Sequence, residues 1–531
     1  MDVIDVWTGR RANALQLALR LSNEAFATKL GTATRTVAKW SAQPDVEPLS
    51  ELQQALDTLL YQAPGPVQAR FALILQRSQE AVSEPNEVSP ETVEAELKIA
   101  ADPHVSAALE WLDHRAGWAP GTSRRKVATK IATTDLRSLQ DLGQQRRRVD
   151  RQQLAVALGE YYSAGIAGFG TYGSTYEDDQ TIQTSILTQE RWLDLASPLE
   201  AHHDNLELTD SSTETVMEVD DLIAGAAASR LAESLAVGAR IIDAPLYRLT
   251  HIDITPGHIG GTVGLTTFVQ YALTMDLLEG ECVDALATGK PVAPNALPLR
   301  DKLLPHLTSV LDTGSRICAG GALALCAIAR PSGRSRRAKP DYLLLVQERS
   351  GRVLNASRRL AVIPKCFHQP LTDYADDAQV GATLRREMEE ELFGREDADG
   401  TVGTIRHADP MHWSRLSEPM RWLVDNSDQS QWRMECTGFG LNLVSGNFEF
   451  ASLIVIHDED FWEQYGGYIA ANWESDGLRQ YSSLDRERVT KLIGDPAWSN
   501  EGVFALLQGI RRLKEVGGDR VDLPTIGWEI N

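Results

Sequence analysis

The chain has 531 residues, 43% of them hydrophobic and 24% charged. Its length suits about three ordinary domains, and this composition excludes general disorder. No run of 18 apolar residues occurs, and Met1–Asp5 lacks the basic flank and apolar core of a signal peptide, so we expect a soluble, cytoplasmic protein without a membrane partner. The five cysteines form no C-x-x-C pair, which argues against a zinc ribbon.

Charge is distributed unevenly along the chain. The net charge of -22 disfavours nucleic-acid binding as a whole, but residues 8–40 hold six basic residues against Glu24 alone. Residues 124–151 hold nine basic residues against three acidic ones, and the acidic excess lies in 177–221 and 371–500. A basic front and an acidic back are expected when only one end of a protein meets phosphate.

Residues 10–60 are predicted to form short helices. Ser22 or Asn23 can cap a helix whose inward positions are Phe26, Ala27 and Leu30, and Gly31 can end it with positive φ. A further helix is expected over 32–40. Val37 and Trp40 face its core, and the outward positions are Thr34, Arg35, Thr36 and Lys39.

This pattern, Phe26-Ala27-x-x-Leu30-Gly31 followed by Arg35–Trp40, resembles the Cro/cI-type (XRE) helix-turn-helix. The resemblance implies a DNA-binding domain over residues 1–80, with the last helix in the major groove of a double-stranded operator. It also implies that the base- and phosphate-contacting positions are Thr34, Arg35, Thr36 and Lys39. The alternative is a small helical bundle used for protein contacts.

The next 85 residues divide into two parts. Residues 81–100 are acidic and contain Pro85 and Pro90, which predicts a linker, and residues 101–165 are predicted to form a basic helical region. The cluster Arg146–Arg148 is interpreted as a second DNA contact, a solvated face or an intramolecular partner of the acidic C-terminal half.

Residues 166–335 are predicted to be an α/β segment, with one helix over 266–278. This segment is either an independent domain or an extension of the next one.

From Asp341 onward the pattern predicts strands over 342–349, 360–364, 435–443 and 448–456, a turn at Ser350-Gly351, and a last helix over 502–514. Between the strands runs Arg386-Glu387-Met388-Glu389-Glu390-Glu391. If this run is helical, Glu387, Glu390 and Glu391 share one face within about one turn. Converging carboxylates suit Mg²⁺ or Mn²⁺. A solvated acidic face is the alternative.

The R-E-x-x-E-E spacing in this order of elements resembles the Nudix hydrolases. The resemblance implies a domain over 336–531 with a mixed sheet between helices, and a metal held by Glu387, Glu390 and Glu391. In an active enzyme Glu390 and Glu391 would be catalytic. Two family positions differ, because Ala378 and Thr372 stand where the family has Glu and Gly. A third glycine position holds Phe393, and Gly394 comes one residue late.

Three residues near this helix are candidate ligand contacts. His368, Gln369 and Arg386 would bind a phosphate or a base edge, although His368 is equally interpreted as a buried structural residue. Together the patterns predict a multidomain chain, with an all-α helix-turn-helix region followed by an α+β Nudix-like domain.

The preferred function is a homodimeric transcriptional regulator of palindromic operators whose Nudix-like domain senses a nucleotide-type or phosphorylated metabolite. The main alternative is an active Mg²⁺-dependent hydrolase of a nucleoside-diphosphate derivative, localised or regulated by the DNA-binding domain. A scaffold for protein interactions is a weaker third possibility.

Overall fold

A computed structural model describes residues 7–531 except 20, 43–45, 65–66, 69, 72–73, 75–88, 178, 211, 213–216, 240, 334–338, 350–358, 395–409, 427–429 and 470–474. The chain divides into two compact units, Met1–Pro90 and Glu91–Asn531. The predicted turn at Ser350-Gly351 and part of the predicted linker therefore lie outside the described residues. Across the described ranges, none of the helices combines the length with the hydrophobicity that a bilayer crossing requires.

The described elements of the first unit are helices. Their bounds are α1 (Gly9–Leu19), α2 (Asn23–Leu30), α3 (Thr34–Ala42) and α4 (Ser50–Tyr61). They pack around one small core, whose largest buried side chains are Trp7, Phe26 and Trp40. The indole nitrogen of Trp7 donates to Asp57 at 2.7 Å, which fixes the first described residue against α4.

Both predicted ends of α2 are confirmed. The Ser22 hydroxyl accepts the Ala25 N–H at 3.2 Å, and Gly31 ends the helix at φ 65°. A two-residue step, Thr32 and Ala33, then leads into α3.

The second unit begins with helices and contains others between its strands. They are α5 (Pro90–Ala101), α6 (Pro103–Arg115), α7 (Thr122–Thr133), α8 (Leu136–Arg148), α9 (Arg151–Tyr161), α10 (Asp221–Ala236), α11 (Phe268–Ala272), α12 (Leu277–Ala287), α13 (Pro298–Leu303), α14 (Leu307–Leu311), α15 (Val380–Glu387), α16 (Glu418–Asp425), α17 (Glu459–Tyr465), α18 (Arg486–Ile493) and α19 (Asn500–Val516).

Fourteen strands are described in this unit. They are β1 (Gly170–Tyr176), β2 (Gln180–Thr188), β3 (Leu193–Pro198), β4 (Asp204–Asp210), β5 (Pro245–Thr255), β6 (His258–Thr267), β7 (Gly320–Arg330), β8 (Asp341–Arg349), β9 (Leu360–Val362), β10 (Lys365–Phe367), β11 (Trp432–Asn442), β12 (Phe448–Ile456), β13 (Ser475–Ser482) and β14 (Ile526–Ile530).

Most strands join one large mixed sheet of order β13-β8-β7-β12-β11-β2-β1-β14, to which β3, β9 and β10 attach. Strands β7 and β12 are parallel, with Phe448 opposite Gly320, and the other pairs in this sheet are antiparallel. Strands β4, β6 and β5 form a separate small sheet. Helices with a large mixed sheet confirm the α+β class.

The large sheet separates two cores. Along β7, Ala322, Ala324 and Cys326 face one core, and Leu323 and Leu325 face the other. The first core contains Leu384 of α15 and the second contains Phe504 of α19, so this strand is buried on both faces. That double burial explains why β7 is an almost continuous apolar run rather than an alternating one.

Three predictions need correction. Residues 90–100 belong to α5, not to a linker, because Thr92, Ala95 and Ile99 give that segment a buried face. The predicted helix over 266–278 is wrong, because β6 continues to Thr267 and two separate helices follow. The boundary between 335 and 336 divides one sheet, since β1, β2 and β7 pair into the same sheet as β11 and β12. Residues 166–335 are thus an extension of the later segment.

Gly321 should be intolerant of any side chain. It lies on β7 between β12 and β10, and a Cβ there would overlap the carbonyl oxygen of Cys366, which is backbone and cannot move aside. We expect Gly321→Ala to lower the free energy of unfolding by about 3 kcal/mol or more. Denaturant titration measures this loss.

The control is Gly143→Ala in α8, where a Cβ meets open space. That change should raise stability by up to about 1 kcal/mol, because alanine favours helix over glycine. Equal effects of the two substitutions would contradict the close approach at Gly321.

Candidate functional site

A cleft of about 400 Å³ opens between α15 and the loop that precedes it. The loop leaves β10 at Phe367 and runs to Gln379. The residues that line the cleft are Gln369, Leu371, Asp376, Asp377, Gln379, Ala382, Thr383, Arg385, Arg386 and Met411. Two of the three predicted ligand contacts, Gln369 and Arg386, therefore border it.

The third predicted contact, His368, holds the loop in place. Its Nδ1 lies 2.8 Å from the Thr383 hydroxyl, and its Nε2 lies 2.9 Å from the carbonyl oxygen of Ala378. The carbonyl can only accept, so Nε2 carries the proton and Nδ1 accepts from Thr383. Burial lowers the pKa of His368 to about 3, which keeps the ring neutral. Both ring nitrogens are occupied, as the structural interpretation requires.

A carboxylate of the loop accepts hydrogen bonds from three backbone N–H groups of the same loop. One oxygen of Asp377 accepts the backbone N–H groups of Leu371, Thr372 and Asp373, at 2.8, 2.9 and 3.1 Å. Asp377 thus holds a tight turn that includes Thr372. The neighbouring Asp376 is exposed at the cleft.

Adjacent arginines on α15 have different surroundings. Arg386 is 3% exposed; it donates to the carbonyl of Gln369 at 3.0 Å and to Glu387 at 2.9 Å. Its contacts join the loop to the helix. Arg385 is half-buried and lines the cleft, and among the described residues its guanidinium has no hydrogen-bond or ion-pair partner within contact distance. Burial lowers the pKa of Arg385, opposed by the charges of Asp204 and Glu200.

Asp204 supports the start of α15 from the small sheet. It is fully buried, and one oxygen accepts the Gly381 N–H at 2.8 Å. Burial raises the pKa of Asp204 to about 6, although the backbone N–H groups and Arg385 act in the opposite direction. The helix that carries Arg385 is therefore anchored by a carboxylate from a distant strand.

The carboxylate run does not continue as a regular α-helix. Residues Met388–Leu392 form a π-turn, closed by the Phe393 N–H donating to the carbonyl of Met388 at 3.1 Å. A π-turn holds one extra residue, which explains why Gly394, at φ 69°, comes one position late. The wider turn also removes the carboxylates from the regular α-helical spacing that placed them on one face.

These carboxylates contact protein groups. Glu387 pairs with Arg386, and Glu391 accepts the backbone N–H of Lys365 at 2.8 Å. Glu389 is fully buried and accepts the Ser417 N–H at 2.8 Å, while Glu390 is half-buried.

This arrangement does not fit the metal site that the Nudix resemblance implies. Within the described ranges, no three His, Cys, Asp or Glu side chains are grouped so that they could hold a metal ion. A site for Mg²⁺ needs several carboxylate oxygens directed at one point. In the described residues, Glu387 and Glu391 are instead engaged by the Arg386 guanidinium and by the backbone N–H of Lys365.

The predicted DNA-contacting residues lie together on α3 in the first unit. Thr34, Arg35 and Lys39 are exposed and Thr36 is half-buried, whereas Val37 and Trp40 are buried as predicted. The first turn of α3 contains no acidic residue. Its outer face is therefore basic and hydroxylated.

Sequence reasoning missed Arg385, which lines the cleft, and Asp204, which anchors the helix that carries Arg385. Arg385 was overlooked beside Arg386, although neighbouring helical positions differ by about 100° and so face different surroundings. Asp204 carries no local signal, because it reaches α15 from 177 residues away. Comparison with known proteins adds no assignment, since neither a protein-family model nor a curated protein sequence matches this chain.

The raised pKa of Asp204 makes stability depend on pH. Its pKa is about 6 in the fold, against 3.8 for the ordinary group, so the folded state retains the proton longer. The contribution of Asp204 to the free energy of unfolding is therefore most favourable at low pH, and it is lost as pH rises through 6. Relative to Asp204→Asn, which does not titrate, the wild type should lose about 1.4 kcal/mol between pH 5 and pH 8.

Denaturant midpoints of both proteins across this range measure the difference. Asp376→Asn, an exposed carboxylate on the same cleft, controls for removal of a negative charge. A gap between wild type and Asp204→Asn that stays constant with pH would show that Asp204 titrates normally.

Proposed function

We propose that this chain is a DNA-binding transcriptional regulator whose larger unit senses a nucleotide-type or phosphorylated metabolite. The exposed face of α3 is the main support. It presents Thr34, Arg35 and Lys39 to solvent while Val37 and Trp40 hold the helix to the core. Hydroxyl and guanidinium groups on one exposed helix are the chemistry that reads base edges and contacts phosphates.

The cleft supports the sensing half of this proposal. Arg385 offers a guanidinium without a bonded partner among the described residues, and a guanidinium binds phosphate oxygens in bidentate fashion. Exposed Asp376 can accept from ribose hydroxyls, and the amides of Gln369 and Gln379 can meet a base edge. A nucleotide-type ligand satisfies all of these groups together.

Regulation requires that the ligand bind the DNA-competent and incompetent states with different affinity. A palindromic operator would be read by a homodimer, with one α3 in each half-site. Phosphate recognition here is assigned to arginine rather than to a carboxylate-bound Mg²⁺, because Glu387 and Glu391 already contact protein groups.

Arg35→Ala should weaken sequence-specific DNA binding. Loss of one base-contacting arginine costs about 1–3 kcal/mol, or roughly 5- to 150-fold in affinity. The measurement is a gel shift on duplexes selected from a random-sequence library, compared with unselected duplex.

The charge-matched control is Lys491→Ala, an exposed position on α18 in the other unit. It should leave the ratio of specific to non-specific affinity unchanged. If Arg35→Ala also leaves that ratio unchanged, α3 does not read the operator.

Arg385→Gln should weaken ligand binding in the cleft. Thermal shifts are measured with nucleoside triphosphates, dinucleotides and nucleotide sugars, and at least one should stabilise the wild type through preferential binding to the folded state. The variant should lose at least tenfold in affinity for it. Lys290→Gln, an exposed cation on the same unit, serves as the control and should bind as the wild type does.

The same panel distinguishes a sensor from the alternative hydrolase. With Mg²⁺ or Mn²⁺ added, we expect stabilisation without product. Turnover that disappears in Glu390→Gln would instead establish the hydrolase, and stabilisation that survives Arg385→Gln would remove the ligand from this cleft.

A further inference from the structure

The nine basic residues between 124 and 151 fall into two groups in the structure. Arg146 is committed inside the protein, because it donates to both oxygens of Asp284, at 2.5 and 2.8 Å, and to Glu233 at 3.1 Å. Arg151 is only 7% exposed. Arg146 is therefore an intramolecular partner, although of the middle segment and not of the acidic C-terminal half, and a DNA contact must be sought among the exposed residues.

The exposed group is densest on α7. This helix, TSRRKVATKIAT, contains four basic residues and no acidic one. Arg125, Lys126, Thr129, Lys130 and Thr133 are exposed. At about 100° per residue these positions span an arc of about 140°. We call them the α7 basic face.

The opposite side of α7 is fixed to the unit. Ser123, Val127 and Ala128 are buried, and the Ser123 hydroxyl donates to the carbonyl of Leu109 at 2.8 Å. The helix therefore presents its basic face on a rigid support.

Acidic neighbours neutralise this face only at one edge. Arg124 and Arg125 lie 4.0 and 3.6 Å from Glu110 and Glu96, distances at which exposed ion pairs are weak. The Lys126 ammonium lies 5.1 Å from the ring centre of Trp118, and the described residues place no carboxylate within ion-pair distance of Lys126 or Lys130. Lys126, Lys130 and Thr129 thus remain exposed to solvent, whereas the Thr133 hydroxyl donates to the backbone carbonyl of Thr129 at 2.8 Å.

We propose that the α7 basic face is a second DNA-binding surface that contacts the phosphate backbone without reading sequence. The chain has a net charge of -22, which repels DNA over most of its surface. Helix α7 contains no acidic residue, so the repulsion of DNA is weak there. Lysine and threonine side chains are typical phosphate-contacting groups. This inference extends the proposed function, but it concerns different residues and a different property of binding.

The test is the salt dependence of binding to random-sequence duplex, measured on the full chain with Lys126→Gln/Lys130→Gln. Each lost phosphate contact reduces the slope of log affinity against log salt by about 0.9. The double variant should therefore lower the slope by about 2 and weaken specific and non-specific duplexes by the same factor. Lys126→Glu/Lys130→Glu should weaken both further.

The matched control is Arg488→Gln/Lys491→Gln on α18, which removes two exposed positive charges elsewhere on the same unit. Its slope should equal that of the wild type. If the slope falls equally in both double variants, the loss reflects the net charge of the protein and not a site on α7, which would overturn the α7 proposal. A slope that is unchanged in Lys126→Gln/Lys130→Gln would overturn it as well. Neither result depends on Arg35→Ala, which tests sequence discrimination rather than the salt slope.

Discussion

The parallel pairing of β7 and β12 is the constraint on which the larger unit depends. The two strands lie side by side at the centre of the sheet, with both faces buried under apolar layers. Gly320 and Gly321 allow the backbones of Phe448 and Cys366 to approach where a side chain would not fit. Because parallel strands need a long crossover, everything from β8 to β11 lies between them in sequence, including the cleft.

Lys365 connects the two faces of that sheet. Its backbone N–H donates to Glu391 on the side of α15, and its ammonium pairs with Glu501 of α19 at 2.5 Å. Burial, then the charge of Glu501, raises the pKa of nearby Glu449 well above its ordinary value. Breaking a buried pair leaves an uncompensated charge, so these contacts hold helices to strands firmly. The acidic run that most resembles a metal site therefore contributes to packing.

Local patterns explain which parts of the structure could be anticipated. The ends of α2 follow from Ser22 and Gly31, and the buried side of α3 follows from Val37 and Trp40, because capping and helical spacing act within a few residues. Strands β8 and β12 were equally predictable from their apolar runs. The middle segment was not, because several of its strands also pair with distant strands, as β2 does with β11 and β7 with β12.

The sequence by itself determined the helices of the first unit, the basic outer face of α3 and the α+β character of the rest, since these depend on periodicity, capping and composition. Only the tertiary structure decided which charged groups remain available. In the fold, Arg146 pairs with Asp284, and Glu391 accepts the backbone N–H of Lys365. Arg385 instead lines the cleft, and Lys126 and Lys130 are exposed on α7. Spacing along one element cannot reveal these outcomes, because each depends on a partner supplied, or not supplied, by a distant segment.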